Sequence, residues 1–242
     1  MFAIETLGLT KKYKNITAVD NLNLQIKKGE LVSLLGVNGA GKTTTVKMLT
    51  CLTKPTKGDA LLGGKSIRSQ GPLVKGMIAL SPQETAVAPG LTVRENLGLI
   101  CGAHRFSKEE QQEKIAEITN LLGLETILSR KAGKLSGGWQ RRLSIAMALI
   151  SQPEILFLDE PTLGLDVIAR SELWEVIQCL KGKVTIILTT HYMEEAQALS
   201  DRVAIMKNGK LLAFDTVDAI KKQANTENFE QAFIQIVREA EQ

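Results

Sequence analysis

Three short stretches carry residue types that could do chemistry. The first, GVNGAGKT at Gly36 to Thr43, fits the pattern GxxxxGK[ST] and lies between a short apolar run and a stretch of helical spacing. A strand that turns into a helix through bare backbone leaves N–H groups free to surround an anion, and the helix dipole adds partial positive charge there. On this reading the backbone of Gly36, Val37, Asn38, Gly39, Ala40, Gly41, Lys42, Thr43 and Thr44 cradles phosphates, the Lys42 ammonium reaches the β and γ oxygens, and the Thr43 hydroxyl is offered to Mg²⁺. The second stretch, ILFLDEP, places Asp159 at the end of an apolar run with Glu160 beside it, on opposite sides of the chain. Read alone, such a pair is a solvated strand end. With a phosphate loop upstream, one acid can hold the metal shell while the other orients an attacking water. The third stretch, LSGGWQRR at Leu135 to Arg142, sets Ser136, Gly137 and Gly138 at the start of a helix, again bare amides suited to an anion.

The intervening residues must position these groups. Leu22, Leu24 and Ile26 alternate with polar residues as a half-buried strand, and LVSLL is a buried one. Helical spacing follows through Val46, Leu49 and Leu52, ending before Pro55. TVRE (Thr92, Glu95) and SKEE (Ser107, Glu110) are capping boxes opening a helical insert, in which Ile115, Ile118, Leu121 and Leu122 share a face before Gly123. Behind Ser136, the spacing of Trp139, Leu143, Ala146, Met147 and Ile150 predicts another helix. ILFLDE and VTIILTTH, separated by a helix-like segment, have the βαβ rhythm of a parallel sheet covered by helices. Asn208-Gly209 between apolar runs predicts a hairpin at the sheet edge, and Phe229, Phe233, Ile236 and Val237 a tail helix packed on the same domain.

Composition narrows the classes. The 242 residues, 44% hydrophobic and 23% charged, suit an ordinary globular chain, and a net charge of +4 falls short of a nucleic-acid binder, so no nucleic-acid partner is expected. Cys51, Cys101 and Cys179 are odd in number and far apart, which argues against disulfides or a zinc site and for buried free thiols in a reducing cytosol. The N-terminus is not a signal peptide and no apolar run approaches the ~18 residues of a membrane span, so the chain is expected to be soluble by itself and to meet a membrane only through a partner.

Together the motifs resemble the ATP-binding subunits of ABC transporters, over essentially the whole chain. The resemblance implies an α/β P-loop NTPase (RecA-like) core with a mixed sheet, N-terminal antiparallel strands and an inserted helical subdomain. It divides the chain into 1–85 with 152–215 as core, 86–151 as insert and 216–242 as tail. LSGG is that family's signature, so Ser136, Gly137 and Gly138 are implied to bind the γ-phosphate of ATP held by a second subunit. Glu160 resembles the general base, with Lys42 and His191 completing the catalytic set; Thr43, Gln83 and Asp159 resemble the Mg²⁺ shell. Tyr13 resembles the aromatic that stacks on adenine, its alternative being an ordinary core or surface tyrosine. LGLD, ending at Asp166, resembles the loop that couples the two sites. Trp139 stands where the signature usually has Gln, either filling an apolar gap or altering packing beside the nucleotide sugar. The stretch around Gln83, the signature helix and the tail most resemble ATPases of ABC-2 type exporters linked to drug resistance. The implied partners are an integral-membrane permease and a second ATP-binding subunit at the cytoplasmic face of the membrane. A soluble ABC ATPase, such as one serving iron–sulfur cluster assembly, is the alternative.

Overall fold

In the computed structural model, which describes residues 1–240, the alternating Leu22, Leu24 and Ile26 are all buried but are divided between two strands. β1 (Phe2–Tyr13) pairs antiparallel with β2 (Ile16–Leu22) and β3 (Gln25–Lys27). Between the latter two, Thr6 Oγ1 accepts the Leu24 N–H at 2.7 Å, so the chain sidesteps without leaving a buried donor unpaired. β4 (Leu31–Leu35) is buried along its whole length and leads to α1 (Lys42–Leu49). This helix stops short of its predicted end, because Thr50 caps it and Cys51 turns into the left-handed region at φ 57°, leaving Leu52 62% exposed. β5 (Lys57–Leu62) returns to β1, β6 (Lys65–Ser66) extends that antiparallel sheet, and α2 (Gly71–Lys75) connects to β7 (Ile78–Ser81).

The helical stretch follows the sequence closely. α3 (Val93–Ala103) and α4 (Lys108–Leu122) each begin with a reciprocal capping box, and Gly123 at φ 66° closes the second. α5 (Gly137–Leu149) starts behind Ser136, whose side chain makes no capping bond. Leu97, Ile115, Ile118, Leu122, Leu143 and Ala146 form one apolar cluster with Leu156, Leu158, Ile186 and Leu188 of the large sheet. These helices therefore have no core of their own and are packed on the sheet.

β8 (Ile155–Asp159), α6 (Val167–Leu180), β9 (Thr185–Thr190), α7 (Met193–Leu199), β10 (Arg202–Lys207), β11 (Lys210–Asp215), α8 (Val217–Gln223) and α9 (Phe229–Glu239) complete the order. The large sheet runs β11-β10-β4-β9-β8-β7, parallel except for the β10–β11 hairpin, and is thus mixed. The hairpin turns at Asn208 (φ 49°) and Gly209 (φ 79°), as its sequence requires. Phe229, Phe233 and Ile236 pack on Leu35, Val203, Ile205 and Ile220, so the tail covers its own domain. In register, Leu35 faces Thr190 and Asp159 faces Thr189, which brings the carboxyl ends of β4, β8 and β9 to one edge, the usual ligand side of a parallel sheet. All three cysteines are free, but only Cys101 is buried: Cys51 is half-buried at the end of α1, and Cys179 lies on the solvent face of α6, so the buried-thiol expectation holds for one of them. No helix of the described residues is long and apolar enough to cross a membrane.

One buried carboxyl has no charged partner among the described residues to justify it. Glu195 on α7 is 0% exposed and accepts the Trp174 indole N–H at 3.2 Å. Burial pushes its pKa above the ordinary 4.5; contacts with Thr190, Thr162 and Trp174 hold it back, and the nearby Glu160 charge raises it further. Between pH 4.5 and the raised value the folded chain therefore holds more protons than the unfolded one, and stability falls as pH rises through that window. Glu195→Gln removes this slope, at most about 1.4 kcal/mol per pH unit. Urea unfolding at mildly acidic and mildly alkaline pH should show the variant gaining on the unsubstituted chain as pH rises; parallel pH dependences would show that the carboxyl is ionised when folded.

Candidate active site

The loop from Gly36 to Gly41 is held open by what lies behind it. A Cβ on Gly36 would collide with Met206 O, and one on Gly41, at φ 103°, would meet Ala18 O at 2.5 Å, so the loop is wedged between β10 and β2 where only glycine fits. The hairpin turn buttresses it: Gly209 N–H donates to Ala40 O at 3.0 Å, and Asp20 N–H donates to Gly209 O at 2.8 Å. On the other side Gly39 has nothing within 4 Å of its Cβ position. A cavity of about 700 Å³ opens there, floored by residues 38–44.

The charged groups converge at the mouth of this cradle. Lys42, 6% exposed, donates to Gly36 O at 2.7 Å and lies 3.3 Å from Glu160 Oε1. The other carboxylate oxygen, Oε2, is 2.7 Å from His191 Nδ1. Glu160 itself has a left-handed φ of 49°, unfavourable for a residue with a side chain, and is held there by its N–H bonds to Thr189 O at 3.1 Å and Thr189 Oγ1 at 2.9 Å. That turn lets consecutive acids face different ways. Asp159 lies behind Glu160, accepting from Thr189 Oγ1 at 2.5 Å and Thr43 Oγ1 at 3.5 Å. The His191 ring packs on Tyr192 with centroids 4.1 Å apart, and Arg170 lies over Tyr192 at 4.9 Å.

The remaining sequence-predicted residues divide into two groups. Gln83 is exposed, just past the end of β7, and lines the cavity together with Glu160, Leu163 and His191. Gly36 and Val37 lie behind the cradle, where their carbonyls hold the Lys42 ammonium. Tyr13, 44% exposed at the end of β1 with Lys11 4.9 Å from its ring, is not among the cavity-lining residues; Ile16, Thr17 and Ala18 across the turn form that wall. Ser136, Gly137 and Gly138 are outside the cavity as well. Ser136 and Gly137 are exposed, and the backbone of both glycines lies close to the start of α6, with Leu165 Cδ2 3.5 Å from a Cβ on Gly137 and Ala169 Cβ 3.1 Å from one on Gly138. Asp166, also exposed, accepts the Ala169 N–H at 2.9 Å and caps α6. Trp139 packs on the helical cluster with Arg142 over its ring at 4.9 Å. Sequence reasoning missed Thr189, Asn208 and the Ile16 wall. Only Thr189 carried a signal, a hydroxyl near the end of a parallel strand beside His191.

The donor set fits a phosphate-bound divalent cation. One hydroxyl and one carboxylate, Thr43 and Asp159, are too few to cage a metal, and among the described residues no group of three or more His, Cys, Asp or Glu could do so. A hard cation here needs oxygens from the phosphates and from water, as Mg²⁺ takes them.

Comparison with known proteins places this geometry. The ABC transporter family pattern matches residues 19–163. The chain is 39% identical over 242 residues to the probable multidrug ABC transporter ATP-binding protein YbhF of Escherichia coli, covering 98% of this chain and 42% of that protein. It is 39% identical over 220 residues to the daunorubicin/doxorubicin resistance ATP-binding protein DrrA of Streptomyces peucetius, covering 90% of this chain and 67% of that one. The chain thus spans less than half the length of YbhF. Among solved structures, the dimeric post-hydrolysis state of the ATP-binding cassette MJ0796 bound to ADP and Pi aligns with a TM-score of 0.78 and 29% identity, over 88% of this chain and 98% of that one. The matched span holds the whole cradle, both carboxylates and the Ser136–Gly138 helix start, and the chain belongs to the ABC transporter family as an ATP-binding cassette.

Proposed function

We propose that this chain hydrolyses ATP as one of two cassettes closed head to tail, and that the closure drives a separate integral-membrane exporter from the cytoplasmic face. The observation that carries the reading is the Glu160 carboxylate, nine-tenths buried and shared between Lys42 and His191 at the mouth of a glycine cradle. Phosphate oxygens entering the cradle compete with Glu160 for the Lys42 ammonium. Once released, the carboxylate accepts a proton from water as the water oxygen bonds to the γ-phosphorus and the bond to the β–γ bridging oxygen breaks, with ADP as leaving group. Lys42 and His191 stabilise charge on the transferring group. Mg²⁺, when bound by Thr43, Asp159 and Gln83, supplies neutralisation of the phosphate oxygens.

The second cassette is supported by where Ser136–Gly138 lie. A helix start with bare amides, and a serine hydroxyl that makes no capping bond, is exposed on the surface outside its own cradle and suits the γ-phosphate held by a partner copy. In MJ0796 a cassette of this fold is dimeric. Leu165, in the loop that ends at Asp166, and Ala169, whose N–H Asp166 accepts, sit against the same glycines and couple the two sites, while Tyr13, paired with the cavity-lining Ile16, offers its ring to adenine. The reading divides the chain into a nucleotide-binding core (1–85 and 152–215), a helical insert (86–151) and a tail (216–242). Export is supported by the names of two relatives, the probable multidrug transporter protein YbhF and the daunorubicin/doxorubicin resistance protein DrrA.

Glu160→Gln keeps the side chain's size and the backbone bonds to Thr189 but cannot take a proton. ATP affinity should stay within about twofold while turnover falls by about 100-fold or more, and an ATP-bound dimer should accumulate on gel filtration. Normal turnover in that variant removes Glu160 from the mechanism. Lys42→Ala removes one partner of a buried charge pair and should weaken nucleotide binding by about 2–4 kcal/mol in titration calorimetry. Unchanged affinity would mean that the cradle does not hold the triphosphate.

A further inference from the structure

The exposed start of α5 is tied to the loop that carries Gln83 by a contact the proposed chemistry does not use. Arg141, one turn past Gly137, is 5% exposed and points inward. Its guanidinium donates from Nη1 to Pro82 O at 2.6 Å and from Nη2 to Gln83 O at 2.5 Å. Three residues further on the same helix face, Ser144 Oγ meets Ser81 Oγ at 2.9 Å in the interior. Three consecutive residues, 81 to 83, are thereby stapled to one face of α5, while the Gln83 side chain remains in the cavity wall.

An arginine is a costly way to hold two carbonyls. Burial pushes the guanidinium below its ordinary pKa and the Asp159 charge lifts it, but it remains a cation whose acceptors are main-chain oxygens. A packed apolar residue stabilises a helix–loop contact without that desolvation cost. What the planar fork adds is geometry: it spans the carbonyls of two successive residues at once, which an ammonium on a flexible stem does not. Resisting rotation of the 82–83 backbone relative to α5 is what such a contact does better than any apolar side chain.

We propose that Arg141 is a positioning residue that makes the Gln83 loop and the Ser136–Gly138 helix start move as one unit. A shift of the loop lining one cassette's cavity is then transmitted directly to the amides that this cassette offers to the other. The proposal rests on the two-cassette reading above, and it concerns how the sites are coupled rather than whether they hydrolyse ATP.

The test compares the full chain with Arg141→Lys, which keeps charge and bulk but loses the fork, and Arg141→Met, which loses both; the lysine variant serves alone if the methionine variant does not fold. Because Arg141 touches none of the cradle residues, KM for ATP should stay within about twofold while kcat falls about tenfold in Arg141→Lys. Amide hydrogen exchange in the Glu160→Gln background supplies a readout that needs no turnover. With Arg141 present, Mg²⁺ and ATP should protect residues 83–86 and 136–138 together; once Arg141→Lys is added, the two segments should respond independently. An Arg141→Lys chain with unchanged kcat and joint protection overturns the proposal and leaves the ATPase reading intact. So does a fall in kcat that merely follows the loss of folded protein in a thermal melt. A parent chain that neither turns over ATP nor closes in its presence overturns both, since no closure then exists to transmit.

Discussion

The site depends on a single carboxylate held between two basic groups. Glu160 lies in the interior, where an isolated charge is expensive, and it is retained because Lys42 and His191 take one oxygen each. The same arrangement keeps the Lys42 ammonium folded back over the carbonyls of Gly36 and Val37. Each group is thus compensated by others that a triphosphate can displace, and the cradle is prepared for an anion without collapsing. The left-handed backbone at Glu160 belongs to this arrangement: it turns the carboxylate toward the cavity while its neighbour Asp159 stays with Thr43 and Thr189.

Around this point the fold supplies rigidity from several directions. Parallel pairing of β4, β8 and β9 puts three functional strand ends side by side, and the β10–β11 turn supports the glycine loop from outside the sheet. The glycines at 36 and 41 are needed because neighbouring backbone carbonyls come too near for any side chain. Preorganisation of this kind lets amides meet phosphate with little rearrangement, which is where electrostatic catalysis gains most.

The helical insert stands in a different relation to the site. It shares an apolar core with the sheet, yet the exposed Ser136 and Gly137 at the start of α5 lie outside the cavity. Its polar link to the cavity wall runs through the buried face of α5, where Arg141 and Ser144 hold residues 81 to 83. The forked bond fixes the 82–83 backbone to α5 in orientation as well as position, because it spans the carbonyls of two successive residues.

Much of this is legible in the sequence because it is local. The glycine spacing of the cradle, both capping boxes, the Asn208-Gly209 turn and the apolar runs of β4, β8 and β9 follow from backbone geometry within a few residues. Where the sequence misleads, a neighbour intervenes: Leu52 has the spacing of a helix that Cys51 terminates, and Cys179 falls on a solvent face. The sequence by itself determined where residue types suited to phosphate and metal stand, and which strands and helices carry them. Only the tertiary structure decided that Glu160 is shared by Lys42 and His191, that the hairpin turn braces the cradle, and that Arg141 grips the Gln83 loop. Those contacts join residues far apart in the chain, most of them through side chains whose directions are set by packing and not by sequence pattern.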